Sequence, residues 1–148
     1  MSSFRLLLVF AAATIGCVSE ARAAAPSGRY TIGNGTVYDT KTKLTWQQTV
    51  PPTTYSYSDA VTYCSDLGVT LSGAWRVPTV KELLTIVDFS QARAPWIDAA
   101  AFPGTPLHFF WTSTTRRDLY GGTWVVDFSQ GNINSPGMST DNNVRCVH

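Results

Sequence analysis

Three cysteines and two histidines are the thiol and imidazole groups of this 148-residue sequence, and their spacing limits the chemistry open to them. Cys64 and Cys146 lie far apart, and with His108 and His148 they lack the paired spacing of zinc ligands. Serine is abundant, yet no G-x-S-x-G elbow and no Cys–His pairing is present. His108, inside the run Pro106-Leu107-His108-Phe109-Phe110, reads as a packed or half-exposed loop residue in preference to a general base. Glu82 follows Thr79 by three positions, where a carboxylate closes a helix capping box instead of acting as an acid. The sequence therefore predicts no enzyme, no cofactor and no catalytic residue.

Arginine and the amide-rich C-terminal third offer binding chemistry instead. Arg76, between Trp75 and Pro78, could hold an anion, but its flanks look buried and predict an internal ion pair or a clamp on backbone carbonyls. Arg116-Arg117-Asp118-Leu119-Tyr120 is the better surface candidate. Adjacent arginines grip sulfate or carboxylate groups, Tyr120 can stack on a sugar ring, and loops on a rigid scaffold carry recognition. Ordinary solvated charges on an exposed hairpin are the plainer explanation of the same residues. Asp127, Asn132, Asn134, Asp141, Asn142 and Asn143 could donate oxygens to calcium, which takes about 6 to 8 of them. Asn and Asp are also the default residues of turns, and turn chemistry accounts for this set without a metal. Arg116, Arg117, Asp118, Tyr120, Asn132, Asn134 and Asn142 are the candidate ligand-binding residues.

The segments that would position these groups begin with one that would be removed. Arg5 precedes an apolar or small-residue run from Leu6 to Ile15, too short for the roughly 20 residues of a membrane span but right for the roughly 7 to 15 of a signal h-region. Ala21-Arg22-Ala23 follows as a small-x-small cleavage signal. The reading is a signal peptide over residues 1–23 and a single domain over 24–148, with no transmembrane segment. Cys17 after Ile15-Gly16 offers an alternative lipid-attachment site, although Thr14 stands where that box prefers leucine. The location is therefore extracytoplasmic: secreted, periplasmic or at the cell surface.

The net charge of +1, near zero once residues 1–23 are removed, argues against a dedicated nucleic-acid binder, which should carry a basic stripe. Five tryptophans and six tyrosines, with only 14% charged residues, mark a folded chain. Loss of Cys17 leaves Cys64 and Cys146. They form either a bridge or two buried thiols, and an oxidising compartment favours the bridge. Such a bond would close most of the domain into one loop and restrict the unfolded chain by about 4.5 kcal/mol.

Within the domain, Tyr30–Ile32, Val37–Asp39 and Leu44–Gln47 read as short strands between Gly33-Asn34-Gly35 and Thr40–Lys43 turns. A helix begins at Ser58 as N-cap and stops at Gly68, with Val61, Cys64 and Leu67 on its buried face. A second helix follows the Thr79–Glu82 capping box. The stretch from Asp88 to Leu107 is loop. Phe109–Thr114 and Thr123–Phe128 are strands, the latter packing Trp124, Val126 and Phe128 on one face. Gly131–Asn143 reads as turn-like, and Val144–Val147 as a last strand with Cys146 and Val144 on one face. The class is α+β with segregated helices.

Trp75-Arg76-Val77-Pro78-Thr79 with Glu82-Leu83, Trp111-Thr112-Ser113-Thr114, Trp124 through Ser129 before Gly131, and Val144-Arg145-Cys146-Val147 together resemble the Lcl C-terminal domain family. The likeness runs from about Gly28 to the end. That family is a bacterial one of largely undefined function, grouped with the C-type lectin-like fold. The resemblance implies two helices, a sheet formed by the terminal strands, and a second small antiparallel sheet under a long loop region. It also implies a disulfide from the first helix to the last strand, where Cys64 and Cys146 fall. The calcium triads of sugar-binding C-type lectins are missing, and Trp124-Val125-Val126-Asp127 stands in place of their strand motif. The expectation is a calcium-independent binding or adhesion module for a glycan or protein ligand at the cell surface. Its surface would be the loops between Phe89 and Leu107, the Arg116–Gly122 turn and the Asn132–Asn143 segment. The alternative is a structural or assembly subunit of an envelope complex or surface appendage.

Overall fold

The computed structural model describes residues 25–117, 121–135 and 140–148. The expected signal segment, and the binding candidates Asp118 and Tyr120, lie outside them. Two three-stranded antiparallel sheets and two helices make an α+β architecture.

The first sheet is a meander of β1 (Tyr30–Gly33), β2 (Thr36–Asp39) and β3 (Thr45–Gln47). Asn34 and Gly35 both take positive φ in the turn that joins β1 to β2, a conformation those residue types tolerate best. Val37 and Trp46 face each other across β2 and β3 and are fully buried.

Helix α1 runs over Tyr57–Leu71 and is longer at both ends than the sequence predicts. Its cap is Ser56, not Ser58: the Ser56 hydroxyl accepts the Asp59 N–H at 3.2 Å and donates to the Asp59 carboxylate at 2.7 Å. Gly68 does not stop the helix. A Cβ there would lie 2.5 Å from the Gly73 carbonyl oxygen, so the glycine is a notch through which the returning chain passes. Ser72 and Gly73, at φ 56° and 108°, make the reversal. The buried stripe is Ala60 and Cys64, with Leu67 and Leu71 partly covered, a spacing of four, three and four residues. Val61, expected on that face, is 44% exposed.

Helix α2 (Val80–Leu84) is a single turn and a half held by the predicted capping box on Thr79 and Glu82. The second sheet follows the long loop, as β4 (Phe109–Thr115), β5 (Thr123–Asp127) and β6 (Asn132–Asn134). Strand β6 falls in the stretch expected to be turn-like, and its Asn-Ile-Asn sequence hides it from any propensity argument. It is a strand because β5 offers it an edge, Val126 lying opposite Ile133. The sheet is packed on both faces. Phe110 and Val126 join Trp46, Leu83, Ile86, Phe102 and Phe128 in one cluster, whereas Trp111 and Val125 join Trp75, Val77, Val144 and the two cysteines in the other.

Val144–Val147 is not a ladder strand. It is an extended segment wedged between β3 and residue 76, joined by single bridges from Val147 to Trp46 and to Arg76. Gln47 N–H donates to Cys146 O, Thr45 N–H to His148 O, and Arg76 N–H to Val147 O, each at 2.9 Å. This placement brings Cys146 under α1, where it is bonded to Cys64 across a Cα–Cα distance of 5.5 Å. Among the described residues no helix is long and apolar enough to cross a membrane.

Candidate binding surface

The β4–β5 hairpin places the arginine candidates. Thr115 lies opposite Thr123, and the Arg116 N–H donates to Gly122 O at 2.9 Å. Gly121 and Gly122, at φ 65° and 96°, carry the chain back in a conformation open chiefly to glycine. The β5–β6 register sets Val125 against Asn134, so the next pair outward is Trp124 and Ser135. There the Arg116 guanidinium lies 5.5 Å from the Trp124 ring centroid and donates to the Ser135 hydroxyl. Arg117 is exposed beside it. The result is a cation, an indole and a hydroxyl at one end of the second sheet.

Trp124 was expected to pack inward with Val126 and Phe128, yet it is only half-buried. It sits at the hairpin end of β5, past the edge of the cluster that covers the other two. Alternation correctly assigns its face but cannot say where along the strand the core ends.

The asparagine candidates separate. Asn132 and Asn134 are exposed on β6. Asn134 Oδ1 accepts the Ser135 N–H at 2.7 Å, and Asn132 Nδ2 donates to Gln130 Oε1 at 3.2 Å, so both also shape the turns beside the patch. Asn142 does not join them. It is fully buried, its backbone exchanges hydrogen bonds with Tyr55 at 2.9 and 3.0 Å, and its Nδ2 donates to Thr140 O. In the loop region, Phe89 is 65% exposed with its ring 5.8 Å from that of Trp96, and Trp96 is pinned by Nε1 donating to Ser129 O at 3.1 Å.

Cys64, Cys146, Glu82 and Arg76 have structural partners. Cys64 and Cys146 are spent in the disulfide. Glu82 receives two hydrogen bonds from the Arg76 guanidinium at 2.7 and 2.8 Å and a third from the Thr79 N–H at 2.7 Å. The Arg76 contact leads, and together they hold the Glu82 carboxyl down at about 2. Arg76 thus makes the ion pair expected of it, although its side chain is half exposed while Trp75 and Val77 are buried. His108 is exposed against Phe109, and His148 lies against Trp75. Among the described residues no group of three His, Cys, Asp or Glu could hold a metal ion.

Arg145 is the residue whose role the sequence does not disclose. It is fully buried, and among the described residues no carboxylate pairs with it. Nη1 donates to Gln47 O at 2.7 Å and Gln48 O at 2.6 Å, Nη2 donates to Thr105 Oγ1 at 2.8 Å, and the guanidinium lies 4.7 Å from the Phe102 ring centroid. Burial pushes it down to about 9, so it remains a cation at neutral pH. The fork joins the C-terminal segment, the end of β3 and the long loop. The available signal was the apolar character of Val144, Cys146 and Val147 together, which covers both faces of the segment and leaves Arg145 no route to solvent.

Residues 35–148 match the Lcl C-terminal domain. No curated protein and no solved structure matches the chain.

Proposed function

The chain belongs to the Lcl C-terminal domain family, and on that footing we propose that it is a lectin-like binding or adhesion module acting outside the cytoplasm. Two helices, two small antiparallel sheets, and a disulfide joining α1 to the C-terminal segment support a C-type lectin-like reading of the fold. A disulfide also suits an oxidising compartment.

The observation that carries the binding reading is the cluster of Arg116, Trp124 and Ser135, bordered by Asn134. An indole face packs on the C–H face of a sugar ring, a guanidinium grips a carboxylate or sulfate in a fork, and amides and hydroxyls fix orientation. The ligand is a glycan or a protein that presents such groups, taken without calcium. Saturable binding of the purified protein on a glycan array, unchanged by a chelator and lost in both Trp124→Ala and Arg116→Ala/Arg117→Ala, is the expected result. Binding that survives those substitutions, or none to any glycan or surface protein, refutes it.

A second reading, as a structural or assembly subunit, draws on a different feature. Ile133, 46% exposed, lies on β6, the edge strand of its sheet among the described residues, and Phe89, 65% exposed, packs by Gly131 just before it, chemistry that suits a protein partner. Co-purification with an envelope complex, abolished by Phe89→Ser and unaffected at Arg116, would favour it.

A further inference from the structure

Two buried N–H donors rise from one face of the β3–C-terminal pairing. Gln47 N–H donates to Cys146 O, and Thr45 and His148 exchange backbone bonds, which sets Trp46 opposite Val147. One step past the Gln47–Cys146 pair, Gln48 stands opposite Arg145. Trp46 and Arg145 are therefore diagonal neighbours on the same face, within mutual reach for an indole and a long side chain. Both are 0% exposed. The Arg145 guanidinium lies 4.7 Å from the Phe102 ring centroid, and Trp46, Val147 and Phe102 belong to one buried cluster. Arg145 Nη1 and Nη2 donate to Gln47 O, Gln48 O and Thr105 Oγ1. Arg145 Nε and Trp46 Nε1 have no hydrogen-bond partner among the described residues.

Charge and donor chemistry define what fits between them. The three acceptors of Arg145 are all neutral, whereas Arg29 has the Asp39 carboxylate at 3.1 Å. With its value pushed down only to about 9, the Arg145 guanidinium stays protonated at neutral pH and places a net positive charge in the core. An unmet donor and an unpaired charge are both unfavourable when buried, and one anion that accepts from the two N–H groups relieves both. A water that accepted both would still have two protons to place. The side chains of Val147 and Phe102 offer it no lone pairs, and Thr105 Oγ1 already accepts from Arg145 and donates to Phe102 O. Full enclosure of Trp46 and Arg145 keeps the occupant small, and a single cation matches a single negative charge.

We propose that Trp46 Nε1 and Arg145 Nε form a buried binding site for a monatomic anion, with chloride as the common member of that class. The site lies at the junction of β3, the C-terminal segment and the long loop, and it is independent of the binding surface at Arg116 and Trp124. Its consequence is thermodynamic. The two donors meet only in the folded chain, so the ion binds that state alone and shifts the folding equilibrium by mass action.

Urea unfolding of the full chain with its disulfide intact reads the site when chloride replaces gluconate at fixed ionic strength. Screening is then the same in both salts, and gluconate is too bulky to be enclosed. A rise in chloride from about 10 to about 100 mM should increase the folding equilibrium constant about threefold to tenfold, the gain set by a dissociation constant of about 30 mM or tighter. Trp46→Phe keeps an aromatic ring, removes the N–H and should diminish that gain. Crystals of the unaltered protein grown in bromide locate the ion by its anomalous scattering, which covers the case in which Trp46→Phe does not fold. A bromide bonded to both nitrogens is the expected result. Stability that follows ionic strength alone, a chloride response undiminished in Trp46→Phe, or crystals with water or no bromide at the two nitrogens overturns the proposal.

Discussion

Replacing Arg145 with methionine removes a buried positive charge and keeps most of the side-chain volume, so two large effects oppose each other. Loss of the guanidinium strands the carbonyls of Gln47 and Gln48, which accept from it at 2.7 and 2.6 Å. Each orphaned buried acceptor costs about 1 to 3 kcal/mol, for a sum of about 4. Thr105 suffers less, because its hydroxyl still donates to Phe102 O at 2.9 Å. The lost contact with the Phe102 ring adds about 2 kcal/mol for a desolvated cation. Against these stands relief of the guanidinium's own desolvation, which amounts to several kcal/mol. The balance predicts that Arg145→Met destabilises the fold by about 3 kcal/mol, a large part of the roughly 5 to 15 kcal/mol that holds a domain together. Arg145→Lys should cost at least as much, because it keeps the buried charge and loses the planar fork that spans two carbonyls and a hydroxyl. Urea unfolding with the disulfide intact, followed by tryptophan fluorescence, measures both. If Arg145→Met falls within about 1 kcal/mol of the parent, or exceeds it, desolvation outweighs the bonds and the clamp argument is refuted.

Replacing both Cys64 and Cys146 by serine releases a loop whose ends are 82 residues apart, and should cost about 3 to 5 kcal/mol in the same assay; a loss below about 1 kcal/mol would show that the unfolded chain is not constrained by the bond. Glu82 titrates at about 2 in the folded chain against 4.5 when free, so its contribution is full above pH 4.5 and lost as pH falls toward 2. With Arg76 half exposed, Glu82→Gln should cost only about 1 kcal/mol at pH 7 and flatten the acid limb of stability between those limits; an unchanged acid limb would contradict the assignment. Gly131 has φ 71°, and a Cβ there would collide with the Phe89 ring. Gly131→Ala should destabilise by about 1 to 2 kcal/mol and expel Phe89 from Trp96, visible as altered tryptophan emission; a neutral effect would mean that the Phe89 ring yields without cost.

Local chemistry was legible wherever neighbours in sequence supply the partners. The Thr79–Glu82 box and the β1–β2 turn at Asn34-Gly35 follow from interactions within a few residues, and both are seen, whereas the single packed face expected of β5 is not, because Val125 and Asp127 are buried as well. The resemblance carried by Trp75–Thr79, Trp111–Thr114, Trp124–Ser129 and Val144–Val147 led to the family that residues 35–148 match. It also implied the joining of Cys64 to Cys146.

Tertiary structure alone decided the features that depend on what lies across a gap. Strand β6 exists because β5 presents unpaired backbone groups to Asn132–Asn134, a fact no propensity encodes. Gly68 is a glycine because Gly73 passes over it, and α1 therefore continues where local signals would end it. Arg116 meets Trp124 and Ser135 because hairpin closure and β6 pairing bring three separate strand ends together. Asn142 is buried rather than displayed because Tyr55 bonds to its backbone from the other side of the fold. Arg145 lies in a segment buried on both faces, and only the tertiary structure supplies its partners, the carbonyls at the end of β3 and the Thr105 hydroxyl of the long loop. The sequence by itself determined which atoms were available, since capping, turn geometry and disulfide chemistry act over short range or through covalent bonds. The structure determined which of them face water, because burial is set by the sum of all the packed elements and by no single one.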